Sequence, residues 1–336
     1  MAIVAKSELL IDKNLMAIVA KSNSTDEEKE LVASAVDVIR ARTLSILRRF
    51  GDDGKLKASV IRFLIEADFI SKLKELHLTD ADLTGVQLSN ADLTGVRFSN
   101  ANLTDAILTN ADLTKANLFL ANLTNAQLNS TNLNGAQLNS TKLFGANLRN
   151  AILTGANLTN AKLTGADLTK ATLNEAQLFG TDLSNAILNG VQLFGTDLSS
   201  TKLLGTDLSN AILNRAQLVG ADLTGAKLIG ADLSNADLTG AILTGAILTG
   251  AILTGAYLSR ANLTGADLTG ANLTDAFLAL SPTFSPTFTG AAILTGAKGI
   301  SPQQIKSAKN WEAATYNGKR LDDPEVITQL GLDATS

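Results

Sequence analysis

At 336 residues, the chain sets 28 Lys and Arg against 32 Asp and Glu, for a net charge of −4, with the basic side chains spread along its length. No basic balance exists to hold a phosphate backbone, so direct nucleic-acid binding is not expected. The absence of cysteine excludes disulfides, thiolate chemistry and Cys-based metal sites.

Residues 1–23 begin MAIVAKSELLIDKNL, where Lys6, Glu8, Asp12 and Lys13 interrupt the apolar run that a signal peptide or a membrane span needs. They are expected to form a flexible tail, and the chain is expected in the cytoplasm. MAIVAKS recurs at residues 16–22 and receives no functional reading. Residues 24–75 read as a helical cap. Thr25-Asp-Glu-Glu28 is a capping box, followed at helical spacing by Leu31, Ala35, Val38, Ile39, Ile46, Leu47 and Phe50. Gly51 to Gly54 breaks that helix, and KLKASVIRFLIEADFI resumes with Leu56, Val60, Leu64 and Ala67 on one face. The lone histidine, His77, beside a leucine where the next segment begins, reads as a surface or capping residue rather than a ligand or base.

From Leu78 to Leu278 every fifth residue is leucine, with Phe98 the single exception. Two residues before each stands a small residue, nearly always Ala, sometimes Thr (Thr131, Thr181, Thr206) or Val (Val86, Val96, Val191). An α-helix would scatter these leucines around its cylinder, and a flat strand would send successive ones to opposite faces. The pattern closes when the chain runs extended for three residues, points Ala and Leu the same way, then turns a corner before the next unit. Repeated corners in one sense wind a tube. Gly or Asn fills most positions two after the leucine (Gly85, Gly165, Gly245, Asn90, Asn160, Asn235), and these types tolerate the positive φ of tight turns. The residue between, usually Thr or Ser, is expected to face water and bond locally.

The unit resembles that of the pentapeptide-repeat family, A(D/N)LXX, written here as ADLTK (166–170), ADLTG (221–225) and ANLTN (121–125 and 156–160). The resemblance spans residues 76–280 and implies an all-β solenoid: a right-handed, four-sided β-helix with 20 residues per coil. About ten coils at ~4.8 Å each give a rod of about 50 Å. Residues 20 apart then become neighbours. Lys162, Asp182, Lys202 and Asp222 alternate in charge along such a row, whereas Lys142 beside Lys162 and Asp92 beside Asp112 do not.

Residues 281–299 form the irregular end of the solenoid, because SPTFSPTFTG breaks the fivefold register with two prolines that cannot donate to a ladder. Within it, AAILTGA (291–297) is one more repeat-like unit. Residues 300–336 are expected to be a helical cap and tail. Ser301-Pro302-Gln303-Gln304 starts a helix carrying Ile305, Ala308, Trp311 and Thr315, with Trp311 covering the lower opening. The stretches IRARTLSILRRF, VIRFLIEADFI and SPQQIKSAKNWEAATY are similar to the flanks of cyanobacterial family members, which implies a cyanobacterial source.

Acid–base catalysis needs ionisable groups paired in a cleft, whereas the carboxylates of this repeat stand on a smooth exterior. No catalytic residue, cofactor-binding residue or metal ligand is assigned, and no cofactor is expected. Runs such as LTGADLTGAN do not lead from a buried strand into a helix and are not phosphate loops. Some relatives, of the quinolone-resistance type, present acidic faces to a type II topoisomerase. With 15 acidic and 10 basic residues, this repeat is a weak imitation of a DNA duplex. A binding scaffold fits better. Ile242, Ile247, Ile252 and Tyr257 occupy the outward position of four successive units as an apolar belt, with Tyr257 beside Phe277. Phe119, Phe144, Phe179, Phe194 and Leu204 follow inward leucines on several sides. These residues mark a protein-contact site, or simply reflect the preference of branched and aromatic side chains for extended backbone. The sequence thus reads as a non-enzymatic, monomeric scaffold or adaptor for an unidentified protein partner, with a DNA-mimicking inhibitor or protector of gyrase as the alternative.

The structural leucines, among them Leu83, Leu123, Leu168, Leu208 and Leu248, carry the fold. In denaturant titration Leu168→Ala is expected to lose about 2–5 kcal/mol. Thr169→Ala is expected to stay within about ±0.5 kcal/mol, and equal effects would refute the assignment of inside and outside.

Overall fold

The computed structural model describes residues 25–51, 53–66, 78–278, 305, 314–316 and 319–330. The chain divides into two compact units, Met1–Ile152 and Leu153–Ser336. His77, Trp311 and the SPTFSPTFTG stretch lie outside the described residues.

The first unit begins with α1 (Asp26–Arg49) and α2 (Gly54–Glu66). Thr25 directly precedes α1, where the sequence places its cap, and Arg48 and Arg49 suit the electronegative last turn. Gly51, at φ 48°, follows just beyond. α2 is capped by Asp53, whose Oδ1 accepts from the amides of Lys55 (3.1 Å) and Leu56 (3.0 Å). Ala35, Ile39, Ile46 and Leu47 of α1 and Ala58, Val60, Ile61 and Leu64 of α2 are buried. Leu31 and Val38, placed on the apolar face by their spacing, are instead exposed. The buried stripe of α1 is narrower than its apolar sequence.

In both units each five-residue repeat makes one turn. The amide of the small residue donates to the carbonyl of the leucine three positions earlier, as in Val86 to Leu83 (3.1 Å) and Ala156 to Leu153 (3.0 Å). Every corner residue from Asp80 to Asp275 has positive φ, and the residue before it does not, the dihedral pattern of a type II turn. Gly and Asn accept that conformation readily. Lys115, Leu120, Glu175 and Arg215 are held there too, at φ 56–60° across the non-glycine corners, so the architecture overrides local preference.

Coils stack by parallel pairing of residues 20 apart, such as Asp82 with Asn102 and Asn102 with Asn122 in the first unit, or Lys162 with Asp182, Asp182 with Lys202 and Lys202 with Asp222 in the second. Leu83 N donates to Asn102 O (2.8 Å), Asn102 N to Ala81 O (2.9 Å) and Gly85 N to Thr104 O (2.8 Å). Four turns per 20-residue period make each coil four-sided. Every central leucine from Leu78 to Leu278, and Phe98, is at most 2% exposed. Leu83 and Leu123 stand in this interior in the first unit, and Leu168, Leu208 and Leu248 in the second.

Most of the threonines that take the alanine position are paired. Buried Thr131, Thr141, Thr181, Thr196 and Thr201 replace the alanine, and each hydroxyl donates to a leucine carbonyl 23 residues earlier at 2.7–2.9 Å. Outside, the Asp or Asn before the leucine clamps the turn. Asp167 Oδ1 accepts from Thr169 N (2.9 Å) and Thr169 Oγ1 (2.5 Å). The threonine is therefore a bonded part of the corner, and the expected loss for Thr169→Ala rises to about 0.5–1.5 kcal/mol.

α2 lies against the first coil. Among the described residues no coil precedes it, and α2 bonds its outer backbone groups. Gln87 N donates to Gly54 O (3.3 Å). Lys57 Nζ donates to Thr84 O (3.4 Å), and Arg62 Nη2 to Ser89 O (3.0 Å) and Gln87 O (3.5 Å). Lys57 is fully buried and its ammonium sits 3.2 Å from Asp82 Oδ1. A side chain at Gly54 would put Cβ 1.8 Å from Gly85 O, so only glycine fits there. Burial alone would raise the Asp82 carboxyl, but the Thr84 hydroxyl and amide and the Lys57 ammonium outweigh it and hold the group below its ordinary value.

In the second unit, beyond the repeat, β1 (Thr315–Tyr316) pairs antiparallel with β2 (Lys319–Arg320), and α3 (Pro324–Leu330) follows. Ala314, Leu321 and Val326 are buried here. Thr315, read as part of a helix, is in a strand. Asn317-Gly318 between the strands is a hairpin signal that the helical periodicity obscured. Asp323 Oδ1 caps α3 through Glu325 N (2.9 Å), and pairing with Glu325 raises Lys319.

Asp82→Ala strands a buried ammonium and is expected to lose about 2–3 kcal/mol, less than a fully enclosed pair because Asp82 is 42% exposed, while Lys57→Met stays within about 1 kcal/mol. Because the folded Asp82 titrates below its unfolded value, its contribution is present above about pH 4 and is lost on further acidification. Hydrogen exchange at Gln87 across that range checks it. Separately, Leu120→Asn relieves a left-handed leucine and should gain about 0.5–1 kcal/mol in thermal unfolding.

Candidate protein-contact surfaces

The residue before each central leucine points outward at the middle of a side, and rows of such residues form what a partner meets. One side of the second unit runs Lys162, Asp182, Lys202, Asp222, Ile242. Burial would raise Asp182, yet the Ser184 hydroxyl and amide, then Lys202 and Lys162, bring it below its ordinary value. Opposite charges here compensate one another. In the first unit Asp92 pairs directly with Asp112, and Asn122 with Lys142.

Ile242, Ile252 and Tyr257 are 40%, 41% and 38% exposed, and Ile247 and Phe277 are half-exposed. Spacing by five puts one member of the belt on each side of the coil, so Ile242 and Ile252 look in opposite directions. A flat partner reaches one side or two. Tyr257 and Phe277 share a side, with ring centroids 4.8 Å apart and planes 5° apart. Phe119 and Phe144 of the first unit and Phe179 and Leu204 of the second are exposed, while Arg215 covers the Phe194 ring at 5.8 Å. Sequence reasoning missed Ile212 and Ile229, both exposed. Writing the sequence in rows of 20 would have found Ile212, which then shares a column with Asp232 and Ile252.

Among the described residues, no cluster of three or more His, Asp or Glu side chains is placed to hold a metal ion. No helix among them is long and apolar enough to cross a membrane.

A chain of stacked five-residue turns around a leucine interior defines a class of repeat protein, and comparison with known families names it. The model of the family described as pentapeptide repeats matches overlapping stretches from residue 71 to residue 278. The chain belongs to the pentapeptide-repeat family. It is similar to HetL, a pentapeptide repeat protein involved in heterocyst differentiation regulation from the cyanobacterium Nostoc sp. strain PCC 7120, with 36% identity over 63% of this chain and 94% of HetL and a TM-score of 0.42. Rfr23 from the cyanobacterium Cyanothece 51142 is 48% identical over 27% of this chain and 58% of its own, with a TM-score of 0.16. QnrB1, a plasmid-mediated fluoroquinolone resistance protein, is 17% identical over 73% of this chain and 97% of its own, with a TM-score of 0.33. No curated protein matches the chain.

Proposed function

We propose that the protein is a non-enzymatic scaffold that works through protein contacts on the outside of its solenoid. The observation that carries this reading is the contrast between the two surfaces: an interior closed by alanine and leucine, and an exterior on which isoleucine, phenylalanine and tyrosine stand exposed. A closed interior offers no ligand cavity, and exposed branched and aromatic side chains on a rigid frame favour protein contact. The reading takes the coils as right-handed and about ten in number, with helical segments closing both ends, α2 at the first coil among them. It takes the chain as a cytoplasmic monomer without a cofactor. Regulation, as in HetL, is the kind of role such a scaffold serves.

Protection or inhibition of gyrase by mimicry of DNA, the alternative reading of the sequence, draws less support. The Lys162 to Asp222 row alternates in charge where a DNA mimic needs a continuous acidic stripe.

Purified chain is expected to leave gyrase supercoiling unchanged. Chemical cross-linking in native cells is expected to capture specific proteins, and Ile242→Asn, Ile247→Asn and Ile252→Asn together should preserve the melting temperature while weakening capture. Inhibited supercoiling at stoichiometric protein, or capture of nothing, would overturn the scaffold reading.

A further inference from the structure

One side of the second unit combines apolar exposure with an unanswered charge. Ile212 pairs directly with Asp232, and Asp232 with Ile252, so the three outward residues follow one another at the spacing of adjacent strands. Ile229 stands in the turn three residues before Asp232, its carbonyl accepting from Asn210 N at 2.8 Å. Ile212, Ile229 and Ile252 are 42%, 42% and 41% exposed. They frame the carboxylate from below, above and along the coil. Gly230, with φ 63°, and Gly250, with φ 67°, carry no side chain at the two positive-φ positions beside it.

Asp232 Oδ1 accepts the amide of Ser234 at 2.9 Å. Among the described residues no lysine or arginine forms an ion pair with it. Asp182, by contrast, lies between Lys162 and Lys202. Lys227 belongs to the preceding unit and is stacked between Asp207 and Ile247 on the neighbouring side.

A protein that covers the isoleucine triangle must also cover Asp232. Removing a carboxylate from water without a compensating charge is unfavourable, whereas pairing it with a cation inside an apolar frame restores the lost interactions. A guanidinium suits the task best, being weakly hydrated and able to bond both oxygens. We infer that this side of the second unit docks a segment of a partner protein carrying an arginine or lysine between apolar side chains. The inference rests on the scaffold reading and adds the chemistry of the partner.

The test pans a phage-displayed library of random 12-residue peptides against the full chain and measures synthetic versions of the enriched peptides by fluorescence anisotropy. Enriched peptides are expected to share an arginine or lysine flanked by Leu, Ile, Val or Phe. Asp232→Asn is expected to weaken their binding about 30-fold or more, the range for truncating one partner of a covered charge pair. Ile212→Asn and Ile252→Asn should weaken it too, and Asp182→Asn on another side should not. Unshifted thermal melts confirm that these surface variants fold. Peptides without a cation, no enrichment, or binding indifferent to Asp232→Asn would overturn the site. Peptides that bind elsewhere on the chain would do so while leaving the scaffold reading intact. A wild-type dimer in sedimentation equilibrium that Ile212→Asn dissociates would put a second copy on this side and also overturn the inference.

Discussion

The constraint on which the repeat depends is the left-handed corner taken once in every five residues. With φ between 56° and 69° at that position, an extended triplet ends, the following amide closes back on the leucine carbonyl, and the next side begins. Because the corner recurs before the chain can finish a strand, each side contributes only one pairing residue per coil. Cohesion therefore comes from stacking along the axis. The leucine methyls of one coil pack on those above and below, and the backbone donors and acceptors point along the same direction, so apolar packing and hydrogen bonding reinforce the same geometry.

That geometry explains the repeated word. Alanine is small enough to let the wall close around leucine. The Asp or Asn between them is outward and yet structural, because its oxygen holds the threonine amide across the corner, as Asp222 does for Thr224 at 3.0 Å. Threonine in the alanine position survives inside because its hydroxyl reaches a leucine carbonyl, in the preceding coil for Thr131, Thr141, Thr181, Thr196 and Thr201. α2 applies the same chemistry at the first described coil, with Lys57 and Arg62 donating to its outer carbonyls.

Much of this was legible in the sequence. Leucine at every fifth position excluded helix and strand, and glycine and asparagine at the corners marked the turns. The period of 20 came from the family resemblance, and the pairing of Lys162 with Asp182, and of Asp182 with Lys202, agrees with it. What stayed hidden was long-range or locally disfavoured. Nothing in the composition around Lys57 announces a buried ammonium, since its partner Asp82 belongs to a different element. Leucine at position 120 and glutamate at 175 give no hint of a left-handed backbone, because neighbouring coils impose it. The hairpin at Thr315–Arg320 was masked by a helical start signal upstream. Of the exterior surface, Ile242 to Tyr257 stood out because they are consecutive, while the triangle around Asp232 is assembled from three different coils and disappears in linear reading.

The 20-residue pairing also sets the grammar of change in this protein. Losing a single residue within a unit would move every later leucine out of the interior. Losing five would rotate all later rows by a quarter turn, sending Asp232 to a side where Ile212 no longer lies beneath it. Losing or gaining a full twenty would remove or add one storey and leave every other row aligned. Gene rearrangement can therefore lengthen this protein in whole storeys while the pattern on each wall persists.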